Sequence, residues 1–561
     1  MARHKILNIQ PLNAALQDTL SKEVKISHIL AQVLINRGIN NPQEAGKFLR
    51  ADLEALLDPY LFPDMQKAVE LVGKTAEAKA KVMIFGDYDV DGITALALLK
   101  NALTGRGLEV EHYLPHRIKE GYGLNKNIVQ VARQKKIKLL ITVDCGTNSY
   151  EEIKELKRHN IEVIVTDHHE PLNCQLPPAS AIINPKLKNS AYKYRDLAGV
   201  GVAYKLAQAI TREKLFDDLD LVCLGTIADV VPLNGENRVI AKEGLLRLSR
   251  TERAGLKALM EVSGIQGKKI TSTFVSYILG PRLNASGRMD TAETALNLLM
   301  SREPGEAGEL AKAVHAYNRQ RQKTEEKIMQ EAEALIDKEI NFKEHKVIVI
   351  AKDGWHQGVL GIVASKLADR FYRPTILISL SDDFCKGSGR SIKNFHLFKA
   401  LLECRDFLKT FGGHSHAVGL VIDRENINDF RNKINLLACH KLALEDLIPS
   451  IDIDMELGLG DISEALVREL GALEPFGAGN PEPLFYSRNL KLKGEPQLLG
   501  RDTLKFWLSD GTITHQAIGF GMGNLYSSLV SARSFDLVYT PEIDSWQEDA
   551  VILEIKDIFF S

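Results

Sequence analysis

KVMIFGDYDVDG, residues 81–92, is an apolar run of strand length that stops in a glycine-ended turn carrying Asp87, Asp89 and Asp91. Runs of the same kind follow: KLLITV at 138–143, VIV at 163–165 and AII at 181–183. Segments of helical periodicity, TALALLKNAL and EEIKELKRH, separate them. Continuous apolar strands alternating with helices predict a parallel sheet with helices on both faces. Sheets of that kind build their sites beyond the carboxyl ends of the strands.

The ends of these strands are not ordinary. TVDCG puts Asp144 after the second long run, and TDHHE puts Asp167, His168 and His169 after the third. A lone Asp at a strand end is usually a helix cap, and a lone His is usually a satisfied structural residue. Three successive strands ending in such groups converge on one rim, where separate structural explanations fail together. GTIADVVPL, 225–233, adds Asp229 in apolar company, a costly place for a carboxylate that is neither paired nor metal-bound. So many carboxylates in one place repel one another, and a cation is the natural compensation. Oxygen-rich ligands with imidazole suit a hard divalent ion better than a thiolate-seeking metal.

DYDVDG, VDCG, DHH and IADVVPL, in this order, resemble the four phosphoesterase motifs of the DHH family. The resemblance implies two divalent metal ions, Mn²⁺ or Mg²⁺. Asp89, Asp91, Asp144, His168 and Asp229 match its ligand positions, with Asp144 as the carboxylate bridging the ions. Asp87 matches a ligand or a partner of one. His169 matches the contact to the scissile phosphate, and Asp167 the carboxylate that orients the histidines. Two ions about 3.5–4 Å apart supply an activated water for in-line attack and neutralise charge on the phosphoryl oxygens, so no serine or cysteine nucleophile is needed.

Later segments narrow the substrate. LPHRIKEGYGLN, 114–125, carries Arg117, Lys119 and Tyr122, with Lys126 just beyond. GPRLNASGRMDTAETAL, 280–296, sets Arg282, Asn284 and Arg288 in a glycine-broken turn leading into a helix, a combination suited to phosphate oxygens. GWHQGVLGIVASKL (354–367), GSGRSI (387–392) and FGGHSHAVG (411–419) resemble the DHHA1 domain that accompanies DHH in nucleic-acid and nucleotide enzymes. Ser388 and Arg390 face the same side if their segment is extended. By resemblance they join Arg117 on a 5′-terminal phosphate. His414 is read either as a phosphate contact or as structural. LEPFGAGNPEPLF, 473–485, precedes a β-rich tail with an Asp510-Gly511 hairpin turn, and the tail resembles an OB-type barrel. There Arg488, Lys491, Lys493, Lys505, Phe506 and Trp507 offer a basic and aromatic track for single strands, Phe506 being read as core before stacking platform.

The 561 residues exceed one hydrophobic core. The expected fold class is α/β and multidomain: a parallel-sheet DHH domain and an α/β DHHA1 domain joined by a long helix, plus a C-terminal OB-type β-barrel. The divisions are a helical segment at 1–55, the DHH domain with connecting helices at 56–325, DHHA1 at 326–445 and the OB-type domain at 446–561. The highly charged stretch from Glu303 to Ile340 is the long connecting helix. A net charge of −2 means that any affinity for phosphates must come from local patches. Cys145, Cys174, Cys223, Cys385, Cys404 and Cys439 are scattered, without disulfide or zinc spacing. The N-terminus MARHKILNIQPLNAAL has no signal-like run and no stretch reaches a membrane span, so a cytoplasmic protein is expected.

Taken whole, the resemblance implies a single-stranded-DNA-specific 5′→3′ exonuclease releasing 5′-mononucleotides in recombination and repair. It implies a single-strand-binding protein and a RecQ-type helicase as partners. Two other readings stay open on the residues alone. One is a phosphodiesterase for nano-oligonucleotides or cyclic dinucleotides, which would not need the tail. The other is a non-catalytic DNA-binding scaffold, which would have lost ligands.

Overall fold

The computed structural model describes residues 5–560 apart from 173, 174, 189, 382, 383, 501 and 545–549. Strand β1 (Ile6–Ile9) is followed by helices Ala14–Val24, His28–Asn36 and Pro42–Arg50. Asn13, Ser27 and Asn41 cap them, each side chain accepting from a backbone N–H three residues on.

The sheet expected from the apolar runs is present. Its strands are β2 (Lys81–Gly86), β3 (Val110–Tyr113), β4 (Ile137–Val143), β5 (Glu162–Thr166) and β6 (Ala181–Ile183). All are parallel, in the order β3-β2-β4-β5-β6. Val82 and Ile84 of β2 enter one core and Met83 and Phe85 the other, so the sheet is buried on both faces. That double burial explains why the strands read as unbroken apolar runs. The edge strand β3, sequence VEHY, is half-buried throughout and carries no such run.

The charged stretch forms one helix, Pro304–Glu339, of 36 residues. Its Ile328, Ala332 and Ile336 pack on a second sheet. This contains β7 (Ile348–Asp353), β8 (Thr375–Leu380), β9 (Cys385–Arg390), β10 (Leu408–Gly413) and β11 (Ala417–Ile422), in the order β10-β11-β9-β8-β7. Only β7 and β8 are parallel.

The tail holds β12 (Ser450–Ile453), β13 (Met455–Glu456), β14 (Phe485–Leu499), β15 (Thr503–Ser509), β16 (Thr514–Phe520), β17 (Phe535–Ile543) and β18 (Val551–Phe560). The Asp510-Gly511 turn joins β15 to β16 as read from the sequence, with Gly511 at φ +105. Because β14 pairs with both β15 and β17, the last five strands close into a barrel. The N-terminal helices share that barrel's core: Leu20, Leu30 and Leu34 lie with Phe485, Leu537 and Leu553. β1 also pairs with β12 in parallel, so the two ends of the chain form one body. Arg238 fastens this body to the catalytic unit. Its buried guanidinium donates to the carbonyls of Phe48, Ala472, Leu473 and Glu474 and lies 3.8 Å from the Phe48 ring centroid.

Candidate metal centre and phosphate cleft

The adjacent strands β2, β4 and β5 deliver Asp87, Asp144 and the Asp167-His168-His169 group to one rim. Asp144 takes φ +60, a conformation that Asp tolerates. Asp89 caps helix Val90–Gly105 through the Gly92 N–H, and Asp91 lies in its first turn. Asp229 arrives at the end of the buried helix Leu219–Ala228. His168 Nε2 is 3.2 Å from Asp144 Oδ1, 3.5 Å from Asp229 Oδ2 and 3.8 Å from Asp91 Oδ2. Three overlapping sets of ligand atoms each fall within 4.8 Å of one another: Asp144, His168 and His169; Asp91, His168 and Asp229; and Asp87, Asp89 and Asp144.

The electrostatics of this rim are unbalanced. Burial, then repulsion from Asp91, Asp89, Asp229 and Asp87, pushes the Asp144 carboxyl well above its usual range. Burial and neighbouring carboxylates push Asp87 and Asp229 up in the same way, and Asp91 to about 7. Burial and the adjacent His169 hold His168 down at about 3, so its imidazole is neutral. One of its ring nitrogens hydrogen-bonds the Leu197 backbone, whereas Nε2, facing the carboxylates, has no hydrogen-bond partner among the described residues. Asp87 Oδ1 and Asp144 Oδ1 are likewise buried without a hydrogen bond among the described residues. Lone pairs aimed at lone pairs in a dry cluster are unfavourable unless a cation lies among them. The donor set therefore fits divalent ions, and Asp144 and His168 each belong to two of the three sets.

Asp167 does a different job. Its carboxylate accepts from the backbone N–H groups of Thr147, His168 and His169 and sits 2.8 Å from His169 Nδ1. Burial alone would raise it, but the His169 bond and both imidazoles outweigh burial and hold it low. Burial would likewise lower His169, yet the Asp167 bond and the acidic rim hold it above its ordinary value. Tyr122, 51% exposed, donates to the Asp144 carbonyl and lies 3.0 Å from His169 Nδ1.

Two contributors were absent from the sequence reading. The N–H groups of Gly199 and Val200, opening helix Gly199–Thr211, each lie 2.7 Å from an oxygen of Asp91. Gly199 cannot carry a side chain, because a Cβ there would meet Asp144 Oδ1 at 2.7 Å and Asp91 Oδ2 at 2.8 Å. The signal was available in LAGVGVAY, whose glycines mark the start of a buried helix.

Across the cleft the charge is opposite. Arg288 is depressed to about 9 by burial and by Arg117, Arg321 and Arg390. Burial and Arg117 also lower Arg390. Arg117 stacks over Tyr88, 4.6 Å from its ring centroid, and its field reaches Asp87. Ser388 and Arg390 do lie on an extended strand and share a face. A Cβ on Gly361 would be 3.0 Å from Ser388 Oγ and from an Arg390 terminal nitrogen. His414 faces His169, whose charge, after burial, lowers it. Asn284 turns to the acidic loop and accepts from the Val90 N–H. Arg282 turns away to the Ile278 carbonyl and to His315 of the long helix.

On the barrel, Phe506 is 2% exposed and packs edge-on to Phe535, whereas the neighbouring Trp507 is 49% exposed beside Lys493. Arg488 pairs with Glu456. Cys145, Cys223, Cys385, Cys404 and Cys439 are free thiols, and Cys174 lies outside the described residues. No helix among the described residues is long and apolar enough to cross a membrane.

Comparison with known proteins agrees with this arrangement. The DHH family N-terminal domain matches residues 81–226, the DHHA1 domain 344–438 and the RecJ OB domain 453–557. The single-stranded-DNA-specific exonuclease RecJ of Bacillus subtilis (strain 168) is 38% identical over 94% of this chain and 67% of the relative. Its counterpart from Haemophilus influenzae is 35% identical over 91% of this chain and 92% of its own length. The crystal structure of RecJ in complex with Mn²⁺ from Thermus thermophilus superposes with a TM-score of 0.85 at 28% identity, covering 99% of this chain and 80% of that one. The Mg²⁺ complex from the same organism gives 0.77 at 26% identity, covering 99% and 78%. Identity above 30% along nearly the whole of a known relative makes this chain a member of the RecJ family of single-stranded-DNA-specific exonucleases.

Proposed function

We propose that this chain shortens single-stranded DNA from its 5′ end, one 5′-mononucleotide at a time, by phosphodiester hydrolysis at a two-ion centre. Asp87, Asp89, Asp91, Asp144, His168 and Asp229 would hold Mn²⁺ or Mg²⁺, with Asp144 shared. Bound there, such ions supply an activated water and charge neutralisation at the phosphoryl group. The chain supplies the rest. His169, whose pKa Asp167 holds above its ordinary value, would meet a phosphate oxygen. Tyr122 fixes the His169 ring, while Asn284 and the Gly199 and Val200 amides hold the acidic loops.

The observation that carries the reading is the meeting of opposite excess charges in one cleft. Arg117, Arg288 and Arg390 crowd one another without a salt bridge to a carboxylate among the described residues, next to carboxylates that repel one another. A terminal phosphate on Arg117, Ser388 and Arg390 sets the next phosphodiester near the rim, which accounts for both direction and step. His414 borders the path of the strand, whereas Arg282, turned to the Ile278 carbonyl and His315, stands away from it. The divisions 1–55, 56–325, 326–445 and 446–561 reduce to three working units, because the helices of 1–55 share the core of the 446–561 barrel and β1 pairs with β12. The same reading gives a cytoplasmic protein of DNA repair and recombination, with a single-strand-binding protein and a RecQ-type helicase as partners.

The test is single-stranded DNA labelled at its 3′ end, incubated with Mn²⁺ or Mg²⁺ beside a blunt duplex. Progressive shortening of the single strand alone is expected. Survival of long strands while dinucleotides or cyclic dinucleotides are hydrolysed would overturn the substrate. Arg390→Ala is expected to reduce the rate advantage of 5′-phosphorylated over 5′-hydroxyl strands by about 10-fold or more, the scale of one charge-assisted phosphate bond. An unchanged ratio removes Arg390 from the terminal pocket.

A further inference from the structure

Asp229 closes helix Leu219–Ala228, and the next residue is strained. Val230 has φ +62 and is 68% exposed. A β-branched side chain persists in the left-handed region only where the chain is fixed on both sides of it. Upstream, the apolar helix Leu219–Ala228 is buried along its length. Downstream, the Pro232 carbonyl accepts from the Tyr194 hydroxyl and the Asn237 carboxamide. The N–H of Leu233, a buried residue, donates to the Ala478 carbonyl at 2.7 Å.

Ala478 belongs to FGAGN, residues 476–480, the turn that leads into the barrel. Two glycines let that turn approach the Asp229 loop closely. A Cβ on Gly477 would lie 2.7 Å from Leu233 Cδ1, and one on Gly479, at φ +70, would lie 3.0 Å from Pro232 Cβ. The turn is itself braced. Asn480 donates to the Leu473 and Pro475 carbonyls and accepts from Arg37 Nε, and Arg238 holds the carbonyls of residues 472–474. Segments from the N-terminus, the catalytic unit and the barrel therefore converge on five residues that touch the Asp229 loop.

We propose that the Phe476–Asn480 turn of the C-terminal body is a positioning element for the metal centre: by pinning Pro232 and Leu233 it holds Val230 in its strained conformation and keeps Asp229 directed at His168. The inference rests on the reading of Asp229 as a metal ligand. The turn touches neither ion nor DNA and acts through Asp229 alone. The barrel body is thus part of the architecture of the catalytic centre as well as a surface for the strand.

The experiment uses the full chain and reads Mn²⁺ binding without DNA, by electron paramagnetic resonance titration. Binding of a fluorescent single strand in EDTA is measured in parallel. Gly477→Ala is expected to weaken Mn²⁺ binding by about 10-fold, as loss of a ligand's support commonly does, with DNA binding unchanged. Adding Leu233→Ala, which makes room for the new methyl group, is expected to restore it. Normal Mn²⁺ affinity in Gly477→Ala, a loss that Leu233→Ala does not restore, or a parallel loss of DNA binding each overturns the proposal. If Gly477→Ala does not fold, Gly479→Ala decides: its methyl group would crowd Pro232 Cβ at 3.0 Å and must weaken Mn²⁺ binding, and normal affinity overturns the proposal. Asp229→Asn is the reference. Unchanged Mn²⁺ binding there overturns the ligand reading beneath the proposal, whereas weakened binding there with normal binding in Gly477→Ala overturns only the role of the turn.

Discussion

Asp144→Asn is expected to abolish exonuclease activity while leaving the metal-free protein at least as stable as its parent. Asparagine also tolerates the left-handed backbone at φ +60. A single donor to developing charge is commonly worth about 10²–10³ in rate, and Asp144 belongs to two of the three ligand sets, so a loss of at least about 10³-fold is expected. The stability result follows from the same geometry. In the metal-free fold the Asp144 carboxyl is buried, its Oδ1 has no hydrogen-bond partner among the described residues, and four neighbouring carboxylates disfavour its charge. Removing that charge relieves the repulsion. The thermal transition in EDTA should therefore stay or rise, while the upward shift on adding Mn²⁺ should shrink, because only ions that bind the native state raise the transition. A fall of several degrees in EDTA would mean that Asp144 is structural. A full Mn²⁺ shift in the variant would remove it from the centre.

The contrast between that centre and the rest of the molecule shows what a sequence discloses. The strands were legible because parallel strands buried on both faces must be apolar at every position, and the rim was legible because it comes at their ends. β3 escaped notice because it is a half-buried edge strand whose residues, VEHY, alternate too weakly to stand out. Gly199 and Val200 escaped for another reason. Their contribution to Asp91 is a pair of backbone amides, which any residue carries, so only the glycine hinted at the close approach.

Long-range partnership was the least legible feature. Residues 1–55 read as a helical segment, which misses strand β1 at Ile6–Ile9, and helical periodicity says which face is apolar and not what covers it. Here it is covered by a barrel more than 400 residues away. Arg238 shows the same limit. In the sequence it is one arginine in a helix, GENRVIAKEG, of the kind usually solvated. In the fold it is 1% exposed and satisfies four carbonyls from two distant segments. Phe506 and Trp507, read together as one track, are divided by the strand itself: neighbours on β15 face opposite sides, which puts the first in the core and leaves the second exposed.

A second large effect is expected at a site that nothing in the sequence singles out. Glu236 and Lys205 form a fully buried ion pair: Lys205 is 0% and Glu236 3% exposed. The ammonium also donates to the Leu57 carbonyl, and the carboxylate accepts from the Leu57 N–H and the Tyr192 hydroxyl. The pair thus ties the loop before the catalytic sheet to helix Gly235–Leu248. Removing one partner strands the other charge, and Glu236→Ala should cost about 3–5 kcal/mol in the urea unfolding of the catalytic unit. Replacing both, as Glu236→Leu with Lys205→Met, should recover only part of it, because the Leu57 N–H and carbonyl and the Tyr192 hydroxyl lose their partners. The dependence on pH identifies the cause. Burial already pulls Lys205 below its ordinary value, with Glu236 opposing. Without Glu236 the folded amine is depressed further, so between that value and about 10.4 the unfolded chain binds the extra proton. Stability then rises with pH across that window. The deficit of Glu236→Ala relative to the parent should therefore be largest near neutrality and shrink toward pH 10. A deficit that does not change with pH would mean that lost packing, rather than an unpaired ammonium, is responsible.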